Sequence, residues 1–194
     1  MTDERDNQWA ALTAEIAACT ACGLCRGRKQ AVPGEGDRRA RVLFVGEGPG
    51  AEEDRQGRPF VGPAGQLLDR MLEAVCLRRE EVFIANVVKC RPPDNRTPTD
   101  DEAEACLNYL RRQVRLLRPE IIVCMGGTAV RHLIDRDARV SQMRGQWVRR
   151  GGVDMLATYH PAALLRREEW LIDSWRDMMA LKERLARRND DGGA

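Results

Sequence analysis

Apolar residues gather in four short, nearly continuous runs, and polar stretches with helical periodicity separate them. The runs cover residues 41–45, 82–87, 121–125 and 153–158. Continuous apolar runs of this length are typical of parallel strands that are buried on both faces of a sheet. Each run therefore predicts one strand of a central sheet.

Between these runs, apolar residues recur about every three to four positions, which is the spacing of amphipathic helices. The pattern predicts helices at residues 6–18, 64–75, 98–117, 128–134 and 168–186. Strands that alternate with helices build a parallel sheet with helices on both faces. The expected fold class is therefore α/β, a three-layer α/β/α sandwich around a central, mainly parallel four-stranded sheet.

Turn signals and length complete the expected organisation. Gly151-Gly152 predicts a hairpin that joins a short strand at residues 146–149 to the last run. A chain of 194 residues is expected to form one domain. Within it we expect an N-terminal helix and cysteine-bearing segment at 1–40, the α/β core at 41–188, and a disordered tail at 189–194.

Composition and charge narrow the class of protein only slightly. No apolar run approaches the roughly 20 residues of a transmembrane helix, and the first residues do not form a secretory signal. We therefore expect a cytoplasmic protein without a membrane partner. The net charge of +2 does not indicate a nucleic-acid partner by itself. Arginine clusters such as Arg111-Arg112 suit phosphate groups but also describe a solvated helix face.

The glycine-rich loop, residues 46–65, follows the first predicted strand and contains six glycines, three prolines and four acidic residues. Its start satisfies a relaxed dinucleotide-binding pattern, which requires a helix to begin at the loop. The later glycines and prolines predict no helix before about Ala64, and the acidic residues would repel a pyrophosphate. We therefore expect a loop that approaches another kind of ligand at the carboxyl edge of the sheet.

Two polar side chains follow other strands at the same edge. Asn86 ends an otherwise apolar strand, and His160 follows the last strand. The alternative for Asn86 is a structural asparagine that caps a neighbouring loop, and His132 lies in mid-helix, where a structural role is expected. Because the carboxyl ends of parallel strands meet, we expect Asn86, His160 and the glycine-rich loop to form one site.

Seven cysteines in a cytoplasmic protein favour metal or redox chemistry over disulfides. Five of them form two groups along the chain: Cys19, Cys22 and Cys25, then Cys90 and Cys106. The first group begins like a ferredoxin run, but Lys29 stands at the position of the fourth cysteine. Two members of this group complete a four-thiolate set with the second group, and the spacing leaves iron–sulfur and zinc open. Cys76 and Cys124 are predicted to be small core residues.

Long motifs in a fixed order carry a resemblance to a known family. They are Cys19-x-x-Cys22, GEGPGAEEDRQGRPFVGPAGQLLD, NVVKCRPPDNRTP, Cys106 and TYHPAALLR. In these motifs the chain resembles the iron–sulfur-containing uracil-DNA glycosylases, family 4 of their superfamily. The resemblance implies a monofunctional enzyme that hydrolyses the N-glycosidic bond of uracil in single- or double-stranded DNA. It would leave an abasic site, in the first step of base excision repair, as a nucleoid-associated cytoplasmic monomer.

The resemblance also implies a cofactor and a uracil pocket. A structural [4Fe-4S] cluster would bind to Cys19, Cys22, Cys90 and Cys106, with Cys25 as an extra thiol. The implied pocket consists of Glu47, Gly48, Gly50, Glu53, Phe60, Asn86 and His160. Phe60 would stack on the flipped base, Asn86 would read O4 and N3–H, and Glu53 would wall the pocket near C5. Glu47, Asn86 and His160 are the implied catalytic residues.

The resemblance implies one catalytic role at the uracil side of the N-glycosidic bond and another at the sugar side. His160 would stabilise the uracil anion near O2, and Glu47 would position the water and stabilise the sugar cation. The best-known uracil glycosylases carry an aspartate at the position of Gly48, so the chain departs from them at this point.

Residues Pro161, Leu164 and Arg166 are the implied DNA contacts, with Leu164 as a minor-groove wedge. The alternative is a first helical turn that buries two leucines. For the whole protein, two alternatives stay open. One is a uracil-DNA sensor of the same fold with little turnover, although the chain lacks the basic insertion and histidine of a related DNA-trapping branch. The other is an iron–sulfur electron carrier.

Overall fold

The computed structural model describes residues 4–191, and the side chains of residues 4–188. A six-stranded sheet forms its centre. The strands are β1 (Glu35–Gly36), β2 (Val42–Gly46), β3 (Phe83–Asn86), β4 (Ile121–Met125), β5 (Trp147–Arg150) and β6 (Val153–Thr158). Their order is β1-β3-β2-β4-β6-β5. The four central strands are parallel, and the two edge strands are antiparallel to their neighbours.

The predicted α/β class is confirmed, but the sheet has six strands instead of four. The four apolar runs form its parallel centre, and the predicted hairpin supplies β5. Strand β1 was not predicted because Glu35 and Gly36 carry no apolar pattern. It exists through its pairing with Phe83 and Ile84 of β3, a contact between distant parts of the chain.

Eight α-helices surround the sheet in the described residues. They are α1 (Glu4–Ala18), α2 (Ala51–Gln56), α3 (Pro63–Ala74), α4 (Asp100–Leu117), α5 (Gly127–Leu133), α6 (Val140–Met143), α7 (Pro161–Leu164) and α8 (Leu171–Asp191). The five predicted helices correspond to α1, α3, α4, α5 and α8. Helix α8 runs to Asp191, so the predicted disordered tail is helical at residues 189–191, and residues 192–194 lie outside the described residues.

Helix α2 overturns the expectation that no helix begins in the glycine-rich loop before Ala64. The Glu53 carboxylate accepts a hydrogen bond from the Gly50 backbone N–H (3.1 Å) and so caps the helix. Gly57 ends it after one and a half turns with φ of 70°, a conformation that suits glycine. A helix this short fits between the glycines, and an acidic side chain of the protein itself occupies its N-terminus.

Both faces of the sheet are buried, which explains the continuous apolar runs. On one face Leu43 and Val45 of β2 belong to a cluster that includes Leu107 and Leu110 of α4. On the other face, Phe44 belongs to a cluster with residues of α3 and α8. No helix within the described residues is long and apolar enough to cross a membrane.

Candidate active site

A cavity of about 400 Å³ lies at the carboxyl edge of the sheet. All seven residues of the expected pocket line it: Glu47, Gly48, Gly50, Glu53, Phe60, Asn86 and His160. Strand β2 delivers the first of these residues, β3 ends at Asn86, and His160 lies two residues after β6. The parallel register of the central strands brings these distant segments together.

Two buried polar atoms at this cavity have no hydrogen-bond partner in the part of the chain that the structure describes. They are Oδ1 of Asn86, a residue only 1% exposed, and Nε2 of His160. Buried polar atoms in native proteins are almost always paired, and an orphaned atom costs about 1–3 kcal/mol. A bound molecule with polar edges would therefore supply the missing partners. An unpartnered Oδ1 at a cavity fits a binding site better than it fits a loop cap.

The hydrogen bonds of His160 define its tautomer. Its Nδ1 accepts a bond from the Ala162 backbone N–H (3.2 Å), so this nitrogen carries no proton. Burial, with a smaller contribution from the nearby Arg166, lowers the pKa of His160 to about 4. At neutral pH the ring is therefore uncharged, with its single N–H at Nε2 as a donor to the cavity.

Phe60 forms an aromatic wall in an unusual backbone conformation. Its φ is 50°, its side chain is 5% exposed, and its ring centroid lies 5.4 Å from that of His160. Arg79 braces this conformation by donating to the carbonyls of Pro59 and Phe60, the latter at 3.1 Å. A Cβ at Gly65 would lie 1.8 Å from the Phe60 oxygen, so only glycine fits there. Sequence patterns did not indicate Arg79.

Two other glycines let backbone approach the site side chains. A Cβ on Gly46 would lie 2.5 Å from Asn86 Oδ1 and 2.6 Å from Phe60 Cζ. A Cβ on Gly126, which has φ of 90°, would lie 2.9 Å from the Cβ of His160. The pocket thus depends on backbone without side chains at the ends of β2 and β4.

Glu53 lines the cavity and also organises the glycine-rich loop. One carboxylate oxygen accepts bonds from the backbone N–H groups of Val61 and Gly62 (2.9 Å each), and the other accepts from Gly50. Three charge-assisted bonds to backbone hold the two halves of the loop together.

Glu47 is the second acidic residue that lines the cavity. It is half-buried, and its Oε2 accepts a 2.5 Å hydrogen bond from the hydroxyl of Thr128. Thr128 is 3% exposed and lies at the start of α5, directly after β4. Sequence reasoning missed Thr128, although its position after the carboxyl end of a parallel strand is a signal that would have found it.

The expected DNA contacts lie in α7 and directly after it. Pro161 is buried, and Arg166 is exposed and lines the cavity. Leu164, the expected wedge, is only 1% exposed, whereas Leu165 is 46% exposed. A wedge must be exposed to enter a duplex, and of these two leucines it is Leu165 that meets this condition.

The five grouped cysteines line a second, small cavity. Three N–H groups donate to their sulfurs: Arg28 to Cys90 (3.1 Å), Lys89 backbone to Cys106 (3.3 Å) and Ala21 to Cys19 (3.4 Å). Among the described residues, no group of three or more His, Cys, Asp or Glu side chains is arranged as a metal site. A thiol-only donor set with N–H donors to sulfur fits an iron–sulfur cluster.

The two remaining cysteines differ from each other. Cys124 is buried in β4, as predicted. Cys76 is exposed, which contradicts its prediction as a core residue. It follows the end of α3 with φ of 61°, and its sulfur accepts a hydrogen bond from Nζ of Lys182 (3.4 Å).

Lys89 connects the two cavities and was not found from the sequence. Its side chain is 1% exposed, and its Nζ donates to the Asn86 carbonyl (2.8 Å) and to Oε1 of Gln113 (2.7 Å). Burial lowers the pKa of Lys89 to about 8. The buried ammonium therefore ties the end of β3 to Gln113 of α4.

Comparison with known proteins identifies the family. A sequence model of the Uracil DNA glycosylase superfamily matches residues 33–179. The Type-4 uracil-DNA glycosylase of Thermotoga maritima is 45% identical over 166 residues, 84% of this chain and 85% of that protein. That of Archaeoglobus fulgidus is 47% identical over 163 residues, 80% and 82% of the two chains. A Type-5 uracil-DNA glycosylase of Thermus thermophilus is 32% identical over 186 residues, 75% and 84% of the two chains. The chain belongs to the uracil-DNA glycosylase superfamily and, within it, to the type-4 family.

Proposed function

We propose that this protein hydrolyses the N-glycosidic bond of uracil in DNA and leaves an abasic site. The observation that carries the proposal is the pair of unpartnered atoms, Asn86 Oδ1 and His160 Nε2, at one cavity walled by Phe60. A base must leave the stack to enter such a pocket. The names of the type-4 relatives support the same activity and do not favour a sensor with little turnover.

Asn86 supplies the selectivity for uracil. Its amide oxygen accepts from N3–H, and its amide nitrogen donates to O4. Cytosine presents an amino donor and a ring acceptor at these positions, so both contacts would be mismatched in a buried site. The ring of Phe60 stacks on the base that Asn86 reads.

His160 stabilises the leaving group. Cleavage places negative charge on the uracil ring, and the neutral Nε2–H donates to O2 as that charge develops. Its donor direction is set by the bond at Nδ1 and therefore needs no reorganisation during the reaction.

Glu47 acts at the sugar. Its carboxylate positions the attacking water and stabilises positive charge on the sugar. The described residues that line the cavity include no lysine, so no amine is available for a Schiff base and strand cleavage is not expected.

The exposed end of α7 contacts the DNA. Leu165 fills the space that the flipped base vacates, and Arg166 holds a phosphate beside it. Pro161 starts the helical turn that presents both.

A structural [4Fe-4S] cluster on Cys19, Cys22, Cys90 and Cys106 completes the proposal, with Cys25 as an additional thiol in the same cavity. The cluster would cross-link the N-terminal segment to the core. The proposal also treats residues 1–194 as one domain. The protein would act as a monomer in the cytoplasm, where it would be associated with the nucleoid.

The test uses single- and double-stranded oligonucleotides that carry one uracil, with cytosine and thymine at the same position as matched controls. We expect an alkali-labile site at uracil only. The absence of such a site in both uracil substrates would overturn the proposal. Strand cleavage without alkali would contradict the monofunctional mechanism, and a stable protein–DNA adduct would favour the sensor.

A further inference from the structure

The hydroxyl of Thr128 donates a hydrogen bond to the carboxylate of Glu47 and so restrains that side chain. The donor is buried and rigid, because Thr128 is 3% exposed and α5 packs against both β2 and β4. The acceptor is a flexible side chain at the edge of a cavity of about 400 Å³. The bond between them measures 2.5 Å and involves only Oε2 of Glu47.

A glutamate beside an open cavity has several rotamers of similar energy, and fixing one of them costs conformational entropy. A misplacement of about 1 Å in a reacting group can reduce a rate about 100-fold. A fixed hydroxyl on one carboxylate oxygen therefore limits the positions that the other oxygen, Oε1, can take before the substrate binds.

We propose that Thr128 is the positioning residue for Glu47 in the hydrolytic step. This inference rests on the proposed function, because it gives Glu47 the water-positioning role described above. Thr128 is not among the described residues that line the cavity, so it acts through the carboxylate of Glu47.

The stretch from Gly126 to Thr128, which joins β4 to the first turn of α5, then contacts both His160 and Glu47. Gly126 leaves room for the Cβ of His160, since a Cβ of its own would lie 2.9 Å away. Thr128, two residues later, holds Glu47. One short segment of backbone thus sets the relative placement of the leaving-group donor and the water-positioning carboxylate.

The test compares Thr128→Ser, which keeps the hydroxyl, with Thr128→Val, which keeps the shape. With enzyme in excess over a uracil oligonucleotide, we expect Thr128→Val to lower the single-turnover rate by about 10- to 100-fold. We expect Thr128→Ser to stay within about threefold of the unaltered protein, and DNA affinity to change little in either variant. Thermal unfolding and visible absorption of the cluster establish that both variants are folded and loaded.

A double-mutant cycle with Glu47→Ala, which removes the acceptor of the Thr128 hydroxyl, separates positioning from packing. We expect Thr128→Val to cause no further loss in the Glu47→Ala background. Equal rates for the Val variant and the unaltered protein, equal losses for Val and Ser, or additive losses in the cycle would each overturn the inference. If the unaltered protein excises uracil, these outcomes leave the proposed function intact. An unaltered protein that does not excise uracil overturns both.

Discussion

At the scale of single residues, His160 links backbone geometry to chemistry. The Ala162 N–H occupies Nδ1, and burial keeps the ring neutral well below pH 7. A neutral donor lacks the full charge of an imidazolium, but it stays in the correct form across the physiological range. The same burial gives His160 a measurable effect on stability.

We predict that His160 makes unfolding easier as the pH falls from about 6.5 to about 4. The unfolded chain binds a proton at this histidine below its ordinary pKa of about 6.5, whereas the folded chain does not until about pH 4. Stability is therefore lost as the pH decreases through this window. Urea unfolding of the unaltered protein and His160→Gln over a pH series measures the effect. The free-energy difference between them should depend on pH, and parallel curves would contradict the prediction.

At the scale of elements, the site is built from the turns that follow parallel strands. Strand β2 leads to the glycine-rich loop, β3 ends at Asn86, and β4 leads to Gly126 and then to Thr128 at the start of α5. The close approach of backbone to side chain makes these turns sensitive to a single added methyl group.

We predict that Gly46→Ala lowers the single-turnover rate of uracil excision by at least about tenfold. The new Cβ would lie 2.5 Å from Asn86 Oδ1 and 2.6 Å from the Phe60 ring, so one of these side chains must move. Gly27→Ala is the matched control, because a Cβ at Gly27 meets nothing within 4 Å. Comparable rates for the two variants would contradict the prediction, because they would show that Asn86 and Phe60 can move aside without loss of activity.

A second prediction at this scale concerns the two adjacent leucines at the end of α7, because Leu164 is buried and Leu165 is exposed. Leu165→Ala should weaken excision from double-stranded DNA more than from single-stranded DNA, with little change in thermal stability. Leu164→Ala should instead destabilise the fold by about 2–5 kcal/mol, because it empties a buried position. Excision assays on both substrates, with thermal unfolding, separate the two. The reverse pattern would restore Leu164 as the wedge.

At the scale of the whole molecule, several contacts hold the N-terminal segment to the core, and two of these places are the packing of α1 and the bonds of Arg28. Helix α1 packs on α4, where the Glu15 and Arg112 side chains pair. Arg28 reaches back to the carbonyls of Ala17 and Cys19 and forward to the sulfur of Cys90. The cysteine cavity lies at the second place, so a cluster there would act as a cross-link.

We predict that removing iron with a chelator under oxidising conditions increases the local unfolding of the N-terminal segment while the sheet stays folded. Metal binding to cysteines contributes directly to folding free energy. Hydrogen exchange should therefore accelerate at residues 19–32 and 90–106, while β2 and β4 stay protected. Uniform acceleration across the sheet would contradict a local cross-link.

The elements that the sequence indicated share a simple physical origin. The four central strands, five helices and the hairpin follow from apolar periodicity and glycine turns, which are local properties. The position of Asn86 and His160 at one edge follows from parallel strand direction alone. Strand β1 and helix α2 have no such local pattern, because one depends on pairing with β3 and the other on a cap from Glu53.

By itself, the sequence determined the α/β class, the family, the residues of the pocket and the cysteines of the proposed cluster. The packed structure was needed to show that Leu165 and not Leu164 is exposed, that Nδ1 of His160 is the accepting nitrogen, and which side chains brace the site: Thr128, Arg79 and Lys89. These features depend on contacts between residues far apart in the chain. Periodicity and motifs report what each segment prefers, whereas burial and hydrogen-bond partners arise only when the segments pack together.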